Sequence, residues 1–362
     1  MNAHFWRNKT VLLTGHTGFK GSWLAIWLHL LGANVVGYAL PANHRSLYRS
    51  AALQQYIQSY EGDISDRRLL LEVLSRHKPD LVFHLAAQPL VRLSYEKPVE
   101  TFETNVMGTL HLLEALRQCD TVKAIVNVTS DKCYRNDGRF DHEGFSEGDP
   151  LGGKDPYSAS KACAELVTQA YAASFFNEKL GVATARAGNV IGGGDWSQDR
   201  LLPDLMKAHI TKQPIVIRYP KATRPWQHVL DPLYGYLLLA QHLYERGTSY
   251  SGAWNFGPYP AEAVSVEEVI GYVNRCLSVP IEVQQTQELA RYEAPTLQLQ
   301  TKKAVQQLGW LPKLTLPEAI VWSVRWYEQC AIGKDMYVET VDQIKTYERM
   351  VKQSDEGKSP LS

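Results

Sequence analysis

Val11-Leu12-Leu13-Thr14-Gly15-His16-Thr17-Gly18-Phe19-Lys20-Gly21 stands near the start of the chain, and its reading decides the fold. Val11 to Thr14 reads as a short buried strand and Gly21 to Leu31 as a helix, with Gly15, Gly18 and Gly21 between them. Glycine permits a tight turn and lets the backbone approach a pyrophosphate. The helix start then offers free N–H groups and a positive dipole end to that anion. A glycine turn alone is compatible with binding nothing. Its strand–turn–helix context favours a dinucleotide, held by Gly15, His16, Thr17, Gly18, Phe19, Lys20 and Gly21.

Outward from this turn, strands and helices alternate. Asn34 to Ala39, Leu81 to Leu85, Lys123 to Thr129 and Val182 to Arg186 read as strands. Asp66 to His77, Val99 to Arg117 and Pro156 to Phe176 read as helices, the first from the spacing of Leu69, Leu70, Val73 and Leu74. This alternation predicts an α/β fold, a Rossmann-type doubly wound parallel sheet covered by helices on both faces. After Arg186 the pattern loosens. Leu201 to Ile210, Val266 to Cys276 and Pro317 to Tyr327 look helical, and Ile215 to Ile217 looks like a strand. Trp226 to Val229 and Trp254 to Phe256 are expected to return to the main sheet. The expected division is a dinucleotide-binding domain over 1–188, with 222–258 returning to it. A smaller mixed α/β substrate-binding lobe spans 189–221 and 259–335, and 336–362 form a C-terminal tail.

The chain has 362 residues and a formal net charge of zero, so no basic surface argues for nucleic acid. No apolar run approaches the ~18 residues of a membrane span. The polar stretch Met1 to Thr10 does not read as a signal peptide. Cys119, Cys133, Cys163, Cys276 and Cys330 form no CxxC pair, so no metal site is expected and a reduced, cytoplasmic protein is.

One feature of the cofactor pattern is missing. An acid usually follows the second strand and takes the ribose hydroxyls. Here the strand ends Val36-Gly37-Tyr38-Ala39-Leu40, and Arg45 lies further on. These residues leave NAD against NADP open. Asp63 and Ile64 are placed at the adenine, and Ala86, Ala87 and Gln88 along the cofactor.

Asp155-Pro156-Tyr157-Ser158-Ala159-Ser160-Lys161 reads as a helix start, with Asp155 as N-cap. Tyr157 and Lys161 are four apart and share a face. A neighbouring ammonium favours phenolate, which can take a proton from an alcohol while hydride leaves the same carbon. By itself the pair is as common on an ordinary helix. It is joined by Val128-Thr129-Ser130-Asp131-Lys132 at a predicted strand end, where open α/β sheets bind ligands.

In this order, Thr14-Gly15-x-x-Gly18-Phe19-x-Gly21, Leu85-Ala86-Ala87, Asn105, Ser130 and Tyr157-x-x-x-Lys161 resemble the extended short-chain dehydrogenase/reductase superfamily. Asp131 and Lys132, directly after Ser130, resemble the acid and base of its nucleotide-sugar 4,6-dehydratases. Lysine in place of glutamate, with Thr129-Ser130-Asp131-Lys132-Cys133-Tyr134, is similar to the CDP-glucose 4,6-dehydratase family. Gln88-Pro89-Leu90-Val91-Arg92, Arg186-Ala187-Gly188-Asn189 through Trp196, and Arg224-Pro225-Trp226-Gln227-His228-Val229 extend the likeness.

The resemblance implies a lyase that recycles bound NAD. Leu85, Asn105 and Thr129 join the cofactor set with Tyr157 and Lys161. Tyr157 takes the C4 hydroxyl proton, with Ser130 and Lys161 beside it. Asp131 serves as acid for the C6 hydroxyl and Lys132 as base at C5, an assignment that exchange of roles would also satisfy. A lysine base requires desolvation or a neighbouring cation to bring its pKa towards neutrality. The resemblance puts Asn189 and Arg224 at the substrate diphosphate and Arg200 near the substrate. Tyr292-Glu293 matches a His–Glu pair of the family, and Tyr292 departs from it. A homo-oligomer is also implied, with the helices around Val99 to Arg117 and Pro156 to Phe176 as candidate contacts, and a role in deoxysugar and O-antigen (lipopolysaccharide) synthesis. The alternatives are a dehydratase or epimerase of another nucleotide sugar, and a non-catalytic dinucleotide sensor.

Overall fold

The computed structural model describes residues 2–137, 144–176, 180–258, 264–285 and 297–356. Six strands appear in turn: β1 (Thr10–Thr14), β2 (Asn34–Ala39), β3 (Gln58–Glu61), β4 (Leu81–His84), β5 (Ala124–Val128) and β6 (Gly181–Ala187). With a seventh, Gly252–Phe256, they form one sheet in the order seventh–β6–β5–β4–β1–β2–β3. Every neighbouring pair is parallel. Parallel strands need crossovers, so both faces are covered and the strands read as nearly continuous apolar runs.

The two-residue period of the strands sorts their side chains between two cores. Val11, Leu13, Val35, Leu81, Phe83, Ala124 and Val126 face one, with Trp23, Trp27 and Leu237. Leu12, Val36, Val82, Ile125 and Val182 face the other, with Leu70, Val73 and Leu112. The chain runs from β1 out to β3, then returns to β4 on the other side of β1. That reversal opens a crevice beyond the strand ends. Thr14 pins its floor: its hydroxyl meets His84 Nδ1 at 2.7 Å and accepts from the Leu85 amide at 3.2 Å.

The smaller lobe holds short two-stranded pairs and the helices Leu201–Thr211, Val266–Cys276 and Leu316–Ala331. Trp254 to Phe256 does rejoin the main sheet. Trp226 to Val229 does not: Gln227–His228 pairs instead with Val190–Ile191. Pro225 before it and the helix Leu230–Arg246 after it leave only four residues between them, of which two form the strand.

The region 336–362 also needs correction, because Met336–Glu356 is a helix of 21 residues. Ile344 and Tyr347 are fully buried on it. Tyr347 meets Trp27 edge to face at 5.7 Å, and Trp27 Nε1 donates to Glu348 Oε1 at 2.8 Å. The helix Phe19–Leu30 is therefore covered on both sides, which explains why Gly21 through Leu28 are all buried. The single helix expected over Val99 to Arg117 is interrupted by a π-helical turn at Glu103–Met107. No helix among the described residues is long and apolar enough to cross a membrane.

Asp231 locks the C-terminal helix to the sheet-covering helix Leu230–Arg246. Its Oδ1 accepts from Tyr347 OH at 2.8 Å and from the Lys313 amide at 2.7 Å. Burial raises its carboxyl from 3.8 to about 7. Between those values the unfolded chain gives up a proton that the folded chain keeps, so stability falls as pH rises through this window. The loss is complete above the folded value and is bounded by roughly 4 kcal/mol. Asp231→Asn keeps the accepting oxygen without the charge. The wild-type denaturation midpoint, measured relative to Asp231→Asn, is expected to fall from pH 5 to pH 8; a constant or rising difference contradicts this account.

Candidate active site

A cavity of about 590 Å³ runs along the crevice and into the smaller lobe. At its dinucleotide end Gly15 adopts a left-handed φ of +74°. A Cβ on Gly21 would lie 2.1 Å from the Gly15 carbonyl oxygen, so the helix packs against the turn only because no side chain intervenes. Gly18 caps the helix without a side-chain hydrogen bond, and no acid stands in the first turn. Those N–H groups and the helix dipole are therefore available to a pyrophosphate. This cradle fits a dinucleotide.

Gly15, Thr17, Gly18, Phe19, Lys20 and Gly21 line the cavity. So do Asp63, Ile64, Leu85, Ala86, Ala87 and Thr129. His16 does not. It turns behind the loop, fully buried, with Nε2 2.7 Å from Ser59 Oγ. Its ring fills the space above Gly37, where a Cβ would meet it at 2.4 Å. Gln88 and Asn105 also lie behind the wall. Asn105 Oδ1 accepts from the Gln88 amide at 2.8 Å, and its Nδ2 donates to Ser160 Oγ at 2.9 Å. They brace the wall and the catalytic helix. Arg45 is exposed and outside the cavity.

Ser130, Asp131, Lys132, Tyr157 and Lys161 converge on the cavity's centre. β5 ends just before Thr129, and Ser130 caps a short 3-10 turn at Asp131–Cys133. Asp155 accepts from the Ser158 amide at 2.9 Å and starts the helix Pro156–Ser174, which brings Tyr157 and Lys161 to the same point. Ser130 Oγ donates to Asp131 Oδ1 at 2.9 Å. Asp131 Oδ2 is buried without a partner. A Cβ on Gly188 would come within 3.0 Å of that oxygen, so glycine keeps the space beside it open.

Burial shifts Asp131, Tyr157 and Lys161 towards their neutral forms. It raises the Asp131 carboxyl, against the opposing pull of Lys132. It draws the Lys161 ammonium down to about 8. It pushes the Tyr157 phenol up to about 12, opposed by the Ser130 hydrogen bond and by Arg200. Lys161 donates to the Val128 carbonyl at 3.3 Å. The expected lowering of the phenol by Lys161 is thus not found: desolvation raises it. Lys20 reaches the same centre, and burial together with Arg200 and Lys161 lowers its ammonium to about 8.

Asn189, Arg200 and Arg224 line the same cavity, with Arg200 in electrostatic reach of Tyr157 and Arg224 of Asp131. Asp195 orients Arg200 through a 2.9 Å ion pair, and Arg224 Nη1 donates to the Thr223 carbonyl at 2.7 Å. Tyr292 and Glu293 lie outside the described residues. Three charged residues of this cavity were not anticipated. Asp199 bridges Arg92 at 2.7 Å and Arg218 at 3.0 Å, joining positions too distant in sequence to signal one another. Glu165 was also missed, although it lies four residues beyond Lys161 on the same helix face.

Gly21→Ala tests the cradle. The added methyl has nowhere to go, and dinucleotide affinity measured by calorimetry is expected to fall at least about tenfold, the effect of ~1.4 kcal/mol. Unchanged affinity contradicts the placement.

Residues 12–321 match the family model described as GDP-mannose 4,6 dehydratase. Over 354 residues the chain is 47% identical to a CDP-glucose 4,6-dehydratase of Salmonella typhimurium, covering 96% of this chain and 98% of that protein. The solved structure of MoeE5 in complex with UDP-glucuronic acid and NAD is 27% identical, with a TM-score of 0.76 over 89% of this chain and 99% of that one. A UDP-glucose 4-epimerase from Thermotoga maritima shares the fold at 22% identity, with a TM-score of 0.77 over 89% and 99% of the two chains. The chain belongs to the GDP-mannose 4,6-dehydratase family, within the NAD-dependent epimerase/dehydratase branch of the extended short-chain dehydrogenases/reductases.

Proposed function

We propose that this chain is an NAD-dependent CDP-glucose 4,6-dehydratase, converting CDP-D-glucose to CDP-4-keto-6-deoxy-D-glucose and water. One observation carries the reading. Beside the Ser130–Tyr157 pair, which suffices for oxidation at C4, stands a second acid/base pair, Asp131 and Lys132, on the same wall. The identity to the Salmonella typhimurium enzyme supports CDP-glucose as the sugar nucleotide.

Tyr157 accepts the C4 hydroxyl proton. Bound NAD supplies the hydride acceptor for C4, a positive charge beside the phenol, and later the donor to C6. The resulting 4-ketone acidifies C5–H. Lys132 takes that proton, the C5–H electron pair becomes the C5–C6 double bond, and the C6–O bond breaks. The departing hydroxyl takes the proton of Asp131 and leaves as water. Burial favours the protonated carboxyl that this role requires, and the unpartnered Oδ2 is the atom to donate. C5 recovers its proton from Lys132 as C6 is reduced. Ser130, hydrogen-bonded to Asp131, lines the cavity together with Tyr157, so the proton captured at the phenol returns to the acid through that hydroxyl. Arg200 and Arg224 supply guanidinium donors for the diphosphate.

The test is a panel of CDP-, dTDP-, UDP- and GDP-sugars assayed by mass spectrometry. Loss of water from CDP-glucose is expected, and Asp131→Asn is expected to reduce it at least about a hundredfold, the upper range of one lost general acid. Turnover of another sugar nucleotide with none of CDP-glucose contradicts the reading.

We further infer a cytoplasmic homo-oligomer serving deoxysugar and O-antigen synthesis. Val99 (68% exposed), Phe102, Met107 and Leu166 put apolar surface on two adjacent helices, and all five cysteines are free thiols. Leu166→Glu is expected to yield a smaller species in analytical ultracentrifugation. An unchanged sedimentation coefficient contradicts this interface.

A further inference from the structure

Behind the catalytic wall lies a buried polar frame that the proposed chemistry does not use. Arg186 and Glu165 form a two-pronged ion pair, Nε to Oε1 at 2.9 Å and Nη2 to Oε2 at 2.7 Å. Neither side chain is more than 1% exposed. Thr129 donates to Glu165 Oε1, and Thr184 donates to Oε2 at 2.7 Å. Arg186 Nη1 donates to Tyr134 OH at 2.7 Å, and that hydroxyl donates to Asn255 Oδ1 at 2.7 Å.

The frame grips the chain at Thr129 and again at Tyr134. These anchors bracket Ser130 through Cys133, the turn that carries Asp131 and Lys132. Glu165, at the centre of the frame, belongs to the helix of Tyr157 and Lys161, and that helix is fixed further by its own backbone hydrogen bonds and the Asp155 cap. A buried ion pair adds little net stability over apolar residues of similar size. What a planar guanidinium fork does provide is fixed geometry. We propose that Arg186 and Tyr134 are positioning residues for the elimination half of the reaction, holding the Asp131–Lys132 turn against the helix of Tyr157. The inference rests on the dehydratase reading. The step it governs is the transfer of the C5 proton to Lys132 with departure of the C6 hydroxyl, protonated by Asp131, as water.

Stopped-flow absorbance of the NAD-loaded enzyme separates the two halves. Cofactor reduction reports oxidation at C4, and reoxidation follows water loss. Tyr134→Phe removes one hydroxyl from the frame. Its reduction phase is expected at close to the wild-type rate, with reoxidation slower by about tenfold, so that reduced cofactor accumulates. Thr129 and the neighbouring Ser130 stay held in this variant, because the bond from Thr129 to Glu165 is untouched. Thr184→Val loses a bond to the same carboxylate away from the turn. It is expected to lower the denaturation midpoint and leave the ratio of the two phases unchanged. Equal slowing of both phases in Tyr134→Phe, or an unchanged ratio, overturns the inference. A ratio shifted as far by Thr184→Val overturns it too. A wild type that shows neither phase with CDP-glucose, yet retains NAD, overturns the dehydratase reading and this inference with it.

Discussion

A carboxylate and a guanidinium buried side by side hold the working end of this sheet together. Glu165 comes from the catalytic helix and Arg186 from β6, and their partners reach β5 and the seventh strand. Removing one member of such a pair costs about 3–5 kcal/mol, because the other charge is left without compensation. Two strand ends, one helix and the catalytic turn are thereby held in a single relative position. A reaction that moves protons at C4, C5 and C6 of one sugar needs that fixity more than it needs further stability.

The second constraint is desolvation. It lifts Tyr157 and Asp131 and lowers Lys161 and Lys20, so each group is brought nearer its neutral form. A protonated carboxyl can then donate, and amines near neutrality can exchange protons. His84 beneath the crevice is likewise held neutral by burial, which lowers it to about 3. Burial also works against the charge of Arg200, but its ion pair with Asp195 outweighs this and keeps the guanidinium charged in the cavity. The same burial makes Tyr157 a poor base in the protein alone. The proposed role of Tyr157 as base therefore calls for positive charge arriving in the cavity.

Much of this was legible in the sequence. The glycine turn between an apolar strand and a helix, the alternating elements, and the four-residue spacing of Tyr157 and Lys161 are all local patterns. What stayed hidden depends on facing and on distance. A motif names His16, Gln88 and Asn105 without telling which side of the wall each occupies. The C-terminal helix carries Val341, Ile344, Tyr347 and Val351 at helical spacing, a signal diluted by the charged residues among them. Gln227–His228 was assigned to the wrong sheet because an apolar run carries no address for its partner. The Arg92–Asp199–Arg218 bridge exists only in three dimensions.

Internal hydride transfer is the central claim, and isotopic labelling tests it most directly. CDP-glucose carrying deuterium at C4 would be converted by the purified enzyme and the product examined by NMR. Deuterium is expected at C6, delivered from the hydride that left C4. Deuterium retained at C4 would contradict the account and indicate epimerisation or no reaction at that carbon.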